Sequence, residues 1–334
     1  MATDSVGALC EFPAHGDSGI VTVAVVIPTF RRPERLQALL DSLSKGTRVP
    51  DEVIVVDNDP ENSADPEPIA GLPLRIIHAG LGLNLPGARN LGWRSTSSTI
   101  CFFVDDDNAV EPEAIEQLAL VFEDPDIGLA GPIIYSGDDA IIWCAGIRHS
   151  PWTTRTIWPL RGQSNLPDEL TWPTEDMPDA FAVPRTVLEA LDGLDEERFP
   201  FYYDEADLGA RIRELGLRCV VVRNVRVRHY GWVKLSIGET MLRATAINGP
   251  ERARWLVRHR IRFHTLHYRG LERLIALGVF IPISTIATSV ACLRASGSWK
   301  TRLITAWAII LGAVDGYRVV LTIRPRTSAG TSHP

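Results

Sequence analysis

Residues Ile100 to Asn108 read Ile-Cys-Phe-Phe-Val-Asp-Asp-Asp-Asn, an apolar run that stops at three consecutive carboxylates. Five residues rich in β-branched and aromatic side chains predict a strand buried on both faces, and Asp105, Asp106 and Asp107 then stand where that strand leaves its sheet. Adjacent negative charges repel one another, so a positive group is expected beside them. Two arrangements supply it. In one, a divalent cation is held by Asp105 and Asp107, with Asp106 left for another polar group. In the other, the carboxylates cap a helix over residues 110–122, whose first turn favours negative charge.

The segments before this strand set its surroundings. Ile20 to Ile27 is a second apolar run, followed by Pro28-Thr29-Phe30-Arg31-Arg32-Pro33. A buried strand, a turn and a helix from Pro33 to Ser44 are expected, because Leu36, Leu39, Leu40 and Leu43 share one helical face and Pro is tolerated in a first turn. Val53 to Val56 is a further short strand, ending at Asp57-Asn58-Asp59. Strand, helix and strand at this spacing form a right-handed parallel unit, whose ligands sit beyond the carboxyl ends of the strands. Thr29, Asp57 and the Asp triplet are therefore expected on one edge. Leu74 to His78 reads as another strand. The helix opening at Leu85 carries Gly87 and Gly92, which permit close backbone approach, and Arg89 near its positive end. A cation there calls for an anionic partner, either a neighbouring Asp or a phosphate.

Beyond the triplet, Pro132 to Ile134 and Ile141 to Ile147 look like strands. Ser150 to Pro178 is irregular, and its Trp152, Trp158 and Trp172 either pack the loop or stack on a sugar. Ala180 to Val183 is a strand and Thr186 to Leu191 a helix. Tyr203-Asp204-Glu205-Ala206-Asp207 opens a helix from Leu208 to Leu215 that Gly216 closes. Asp204, Glu205 and Asp207 suit a first turn, but a carboxylate in a pocket that already holds others also serves as a general base. Arg218 to Arg228 alternates Val with Arg or Asn as an edge strand would, and ends at His229, which either plays a structural part or returns to the acidic cleft as a third metal ligand.

Composition narrows the class. The chain has 334 residues, 45% hydrophobic and 22% charged, enough for one sizeable core and an appendage. Five cysteines are scattered without a CxxC pair, which argues against a disulfide framework and a zinc site and for reduced thiols in the cytosol. Met1 to Gly19 lacks a basic segment followed by an apolar core, so no secretory signal is expected and this stretch reads as flexible. From Asn248 onward there are 13 Lys/Arg against 3 Asp/Glu, a net +10, which leaves −17 on residues 1–247 out of the total of −7. An acidic body is unlike a nucleic-acid binder, whereas a basic, apolar tail suits an anionic membrane surface.

Six pieces in order resemble the family-two glycosyltransferases, inverting enzymes of the GT-A fold: Val25-Val26-Ile27-Pro28-Thr29-Phe30-Arg31-Arg32, Val55-Val56-Asp57-Asn58, Gly87-Ala88-Arg89-Asn90-Leu91-Gly92, Val104-Asp105-Asp106-Asp107-Asn108, Gly193-Leu194-Asp195-Glu196 and Tyr203-Asp204-Glu205-Ala206-Asp207-Leu208. The match runs from Val21 to Trp232. It implies an α/β fold with a Rossmann-like, mostly parallel central sheet flanked by helices. It also implies a nucleotide-diphosphate sugar donor, a glycan or lipid-linked acceptor and a divalent metal, Mn²⁺ or Mg²⁺. Pro28, Thr29, Arg31, Asp57, Arg89, Asn90, Asp105 and Asp106 would line the donor pocket. Asp105, Asp107 and His229 would hold the metal. The family's usual Glu-Asp before the second helix stands here as Asp204-Glu205, and Glu205 occupies the place of the usual Asp, which makes it the favoured base over Asp204. A non-catalytic GT-A module that binds a nucleotide or glycan is the competing reading. The retained carboxylates weigh against it. A nucleotidyltransferase would carry a Gly-rich phosphate loop after the first strand, and Pro28-Thr29-Phe30 lacks glycine.

The tail is of another kind. Glu251 to Arg273 is basic and amphipathic, with Arg252, Arg254, Arg258, Arg260 and Arg262. Leu274 to Leu293 runs 20 residues without a charge, interrupted by Gly278 and Pro282, and Leu303 to Val314 is a shorter run stopping at Asp315. Twenty apolar residues are about enough to cross a bilayer. A helical appendage that also mediates oligomers, an interfacial anchor and a true span are all compatible with this pattern. In either membrane case the flanking arginines keep the catalytic part cytoplasmic, at the inner face of the cell membrane. The expected division is a flexible 1–19, a GT-A domain over 20–235, a helical region over 236–325 and a flexible 326–334.

Overall fold

The computed structural model describes residues 21–59, 61, 64–80, 82–231, 249–294 and 298–322. The expected flexible ends at 1–19 and 326–334, and Trp232, lie outside them. In chain order the first half contains β1 (Val23–Thr29), α1 (Pro33–Ser44), β2 (Glu52–Asp57), β3 (Leu74–His78), α2 (Leu85–Arg94), β4 (Ile100–Val104), β5 (Asn108–Val110), α3 (Ala114–Val121), β6 (Ile127–Ser136) and β7 (Ile142–Cys144). There follow β8 (Arg148–His149), β9 (Thr156–Ile157), β10 (Thr171–Pro173), β11 (Ala180–Pro184), α4 (Arg185–Leu191), α5 (Asp204–Glu214) and β12 (Arg218–His229). The C-terminal part holds α6 (Gly249–His267), α7 (Gly270–Ile275), which continues through a π turn (Ala276–Phe280) into α8 (Ile281–Arg294), and α9 (Trp299–Thr322).

The main sheet has the order β10-β12-β6-β11-β4-β1-β2-β3, with β5 added to β12 and β7 to β6. β4, β1, β2 and β3 are mutually parallel, β6 and β12 are parallel, and β11 runs against both β4 and β6. Every residue of β1 and β4 is buried, as expected for strands covered by helices on both faces. Leu36, Leu39, Leu40 and Leu43 of α1 lie in that core. α2 is drawn tightly onto β1, because a Cβ at Gly92 would collide with Val26.

Three local expectations are corrected. The helix expected over residues 110–122 begins only at Ala114, and β5 takes Asn108–Val110 instead. The segment finds a partner in β12, with Val110 opposite Val227, and Pro112 delays the helix. The Asp triplet is therefore not a helix cap. Second, β12 is not at an edge. It lies between β6 and β10, and its alternation reflects one buried and one polar face of an interior strand. Third, α5 starts at Asp204, four residues before the expected Leu208, so all three acidic residues occupy its first turn.

The tail forms its own core from Ala253, Val257 and Ile261 of α6 with Leu277, Ile281, Cys292, Ala306, Ile309 and Ala313. Gly312 and Gly316 let α9 press against the backbone of Arg254 and the side chain of Ile261. Pro282 stands two residues after the π turn, which accommodates a proline inside an otherwise continuous helix. The second apolar run does not stop at Asp315. α9 continues past it, since Asp315 turns to Arg254 at 2.7 Å.

α6 also docks against α5 and the loop before it. Phe263 packs among Phe199, Tyr203, Ala206 and Ala210, and His259 Nδ1 donates to the Phe201 carbonyl at 2.6 Å. Burial holds His259 neutral, down to about 4, and His264 down to about 3. Both must acquire protons on unfolding once the pH falls below the ordinary histidine value of 6.5. Their contribution is full above that value and is lost as pH drops. His267 has the opposite sign. Burial lowers it, but bonds to Asp207 and Glu214 outweigh this and raise it, so its contribution grows as pH falls from its folded value through 6.5 and is full only below that. Lowering the pH from 7 to 5 is expected to cost up to about 2 kcal/mol per buried neutral histidine, against an opposing gain from buried carboxylates held above their usual range. Thermal melts of the parent and of His264→Phe at the two pH values check this: the carboxylates are common to both chains, so the variant should lose less on acidification than the parent, and an equal loss would show that His264 is not neutral in the fold.

Candidate active site

The parallel arrangement of β4, β1 and β2 brings Asp105, Thr29 and Asp57 to one edge, as anticipated. Pro28 lies within β1 opposite Val56. Thr29 Oγ1 donates to Asp106 Oδ2 at 2.8 Å. Arg32 Nη1 lies 3.0 Å from Asp106 Oδ1 and 3.1 Å from Asp107 Oδ2. Asp57 is buried and accepts the backbone N–H groups of Asp59 at 3.0 Å and Ala64 at 2.7 Å, which shapes the loop after β2. Arg31, with φ +57°, turns to Asp59 at 2.8 Å and Glu61 at 3.4 Å.

Arg89 is wholly buried and joins two groups of carboxylates. Nη2 bonds Asp105 at 2.8 Å, while Nη1 bonds Asp204 at 3.0 Å and Glu205 at 2.7 Å. Its guanidinium also lies 5.2 Å from the Phe181 ring. Of the two partners foreseen for this cation, the structure shows carboxylates. Asn90, expected in the donor pocket, faces elsewhere: Nδ2 donates to the Leu194 carbonyl at 2.8 Å and to Glu196 at 2.6 Å, and Oδ1 accepts from the Leu194 N–H at 2.9 Å. It ties α2 to the Gly193-Leu194-Asp195-Glu196 segment. A Cβ at Gly193 would strike Asn90, and its φ of +74° also favours glycine.

The electrostatics separate the two candidate bases. Burial, reinforced by the Glu205 charge, pushes the Asp204 carboxyl well above its usual range despite Arg89. Burial acts on Glu205 too, but Arg89 and a hydrogen bond from Asp204 hold it below the usual glutamate value. Of the hydrogen-bonded pair, Asp204 is thus the more readily protonated and Glu205 the more readily ionised. Glu205 retains 14% side-chain exposure against 1% for Asp204, so it is the one a substrate can reach. Asp105 is raised to about 6, chiefly by burial.

A third group surrounds His229. Nε2 stands 3.6 Å from both Asp107 Oδ1 and Asp179 Oδ2, and the ring centroid is 4.7 Å from that of Trp143. Burial lowers the imidazole, but Asp107 and Asp179 outweigh it and raise its pKa. Burial also raises Asp179 to about 7, with His229 opposing and Asp105 and Asp107 adding. Among the described residues, no three His, Cys, Asp or Glu side chains are gathered closely enough to form a ready metal cluster. The donor chemistry nevertheless suits a hard divalent cation, with carboxylates and one imidazole converging. Asp179 Oδ2 is buried without a hydrogen bond, and Gly231 lets the backbone pass close to Asp107 and His229, where a Cβ would collide with both.

Sequence reasoning missed Arg32 and Asp179. Asp179 precedes Ala180, which pairs with Val104 in the antiparallel β11–β4 ladder, so register alone brings it beside Asp105. Of the three loop tryptophans, Trp158 packs on Trp143 at 5.5 Å and Trp172 donates to the Ala145 carbonyl at 3.0 Å, whereas Trp152 is exposed.

The sequence model of glycosyl transferase family 2 matches residues 24–191, half of the chain. The chain belongs to this family. It is 28% identical over 233 residues to O-antigen biosynthesis protein RfbC of Myxococcus xanthus, an alignment that covers 64% of this chain and 17% of that protein. The chain thus spans less than a fifth of that relative's length. Among solved structures it resembles S. aureus TarS 1–349 in complex with UDP-GlcNAc (TM-score 0.53, 15% identity, 90% of each chain). It also resembles GalNAc-T7 with UDP, GalNAc and Mn²⁺ (TM-score 0.52, 16% identity, 78% of this chain and 54% of the other). At these identities the likeness establishes the fold. The expected GT-A architecture is therefore borne out.

Proposed function

We propose that this family member is a glycosyltransferase that moves a sugar from a nucleotide-diphosphate donor to a hydroxyl of a glycan or lipid-linked acceptor, with inversion. The observation that carries the reading is the Arg89 clasp, whose single guanidinium spans from Asp105 on the donor edge to Glu205 at the start of α5. Thr29, Asp57 and Asp106 bind the base and ribose end of the donor. Glu205 takes the proton of the acceptor hydroxyl as that oxygen attacks the anomeric carbon from the face opposite the leaving diphosphate, a role worth about 10²- to 10⁴-fold. Asp204, hydrogen-bonded to Glu205, orients it.

Asp107 and His229, with Asp105 or Asp179 beside them, are the residues that would hold Mn²⁺ or Mg²⁺. The Mn²⁺ in the GalNAc-T7 structure supports this choice. A cation bound there supplies Lewis-acid stabilisation of the charge on the departing diphosphate. Arg32 neutralises Asp106 and Asp107 when no cation does so. The catalytic unit is taken as residues 20–235, with the helical region over 236–325 as a separate unit, and the reaction as cytoplasmic.

The test is donor binding and hydrolysis by the purified chain across UDP-, GDP- and dTDP-sugars, with and without Mn²⁺. Selection of one donor, dependent on metal, is the expected result. Asp107→Asn should lower metal-dependent turnover by about 10²-fold or more, on the scale of losing a catalytic electrostatic contact. Full activity in that variant would remove the metal assignment. Failure to bind any donor would favour a non-catalytic module instead.

A further inference from the structure

The two helices of the C-terminal hairpin are as apolar as membrane segments, yet only 28% of the most apolar stretch of Gly270–Arg294 and 39% of that of Trp299–Val320 is buried. A core helix of comparable composition would be mostly covered. Instead Leu274, Ile283 and Ile286 on one helix and Trp299, Leu303 and Trp307 on the other are between 49% and 70% exposed. Val279, Ile283 and Ile286 follow one another at four and three residues, and Trp299, Leu303 and Trp307 at four and four, which puts each of these sets on a single helical face; Leu274 and Val314 add further exposed apolar surface. The helices run antiparallel, with Ser289 bonded to the Ala306 carbonyl and Arg302 to that of Leu293.

We infer that this hairpin docks in the plane of an anionic lipid surface. Two features favour lipid over a second copy of the chain. Arg294, Lys300 and Arg302 cluster at the tip of the hairpin, within a region of net +10 attached to a body of −17. Negative headgroups attract such a region and repel the body, which orients the molecule, whereas a second basic hairpin would meet it with like charge. Two of the exposed apolar residues are tryptophans, which favour the headgroup boundary.

The hairpin does not cross the bilayer. α6 is braced against α9 at Gly312 and Gly316, so the part of α9 clear of α6 is about ten residues, or about 15 Å, against a hydrocarbon core of about 30 Å. Deeper insertion would drag in Arg252 and Arg258 on α6. An in-plane helix pair buries its apolar stripe and keeps those cations at the headgroups. α6 lies between the hairpin and the catalytic loop: Arg260 donates to the Tyr203 hydroxyl at 3.3 Å, one residue before Asp204. Docking therefore ties the membrane-bound helices to the loop that opens α5. This inference stands apart from the proposed reaction and holds whatever the donor.

Flotation of the full chain with preformed phosphatidylcholine vesicles, with and without 30% phosphatidylglycerol, tests it. Binding is expected only with the anionic lipid, weakening as salt rises, and bound protein should transfer to a second vesicle population. Ile286→Glu/Trp307→Glu should reduce binding at least tenfold while leaving circular dichroism, melting temperature and donor binding unchanged. Equal binding by this variant, or no binding of the parent chain to anionic vesicles, overturns the proposal. A dimer in light scattering that the same variant dissociates would assign the face to a second copy, and failure to transfer between vesicles would overturn the in-plane arrangement.

Discussion

Glu205→Gln is expected to lower turnover about 10²- to 10⁴-fold while leaving donor binding near that of the parent chain. The amide keeps the shape of the carboxyl but loses its ability to take a proton and the charge that pairs with Arg89, so a lower melting temperature accompanies the loss of turnover. Asp204→Asn is the informative partner. Asp204 holds its proton more tightly than Glu205 and is hydrogen-bonded to it, and an asparagine amide donates toward Glu205 from nearly the same position. Its loss is expected to stay below about tenfold. The reverse pattern, with Asp204→Asn inactive and Glu205→Gln active, would transfer the role of base to Asp204.

The pH profile supplies a second reading of the same assignment. A base works only when deprotonated, so activity is present above its pKa and lost below it. Arg89 and Asp204 hold Glu205 below the ordinary value of 4.5, against the effect of burial. At saturating metal, which keeps its proposed ligands His229, Asp105 and Asp107 deprotonated, the acid limb of kcat/KM set by Glu205 should therefore fall below pH 4.5, provided the fold survives. A limb under those conditions well above 4.5 would point to a carboxylate whose proton is held more tightly, as that of Asp204 is.

The architecture was legible where hydrophobic pattern is local. Leu74–His78 and Pro33–Ser44 have the limits read from the chain, because apolar period and the proline at the first helical turn act within a few residues. Residues 110–113, expected as the start of a helix, differ for the opposite reason: the strand ending at Val110 exists only because β12 arrives from more than 100 residues away to pair with it. The same holds for β12, whose alternation is compatible with either an edge or an interior place until its neighbours are known. In the site, residue types were legible and partners were not. Arg89 announced its need for an anion by standing in the first turns of α2, but Asp105 lies 16 residues away and Glu205 116. Arg31 and Arg32 are chemically identical in the sequence. Only the turn after β1, with Arg31 at positive φ, sends one to Asp59 and the other to Asp106 and Asp107.

Arg89→Met is expected to be the most destabilising single change in the site, at about 3–5 kcal/mol, the range for removing one partner of a buried ion pair. Methionine fills much of the arginine stem's volume, so the loss is chiefly electrostatic rather than that of a cavity. Glu205 and Asp105 would be left in a buried region with no cation between them, and both would bind protons more readily. That gives the variant a pH signature. Carboxylates whose folded pKa is raised lend stability at low pH that is lost as pH rises, so the gap between variant and parent should be widest near pH 8 and shrink toward pH 5. Denaturant titrations at the two pH values measure it. Arg89→Lys should recover little, because one ammonium cannot reproduce two nitrogens aimed at three carboxylates. A deficit independent of pH would show that Arg89 supports the fold by packing, including its contact with Phe181, and that the carboxylates do not depend on its charge.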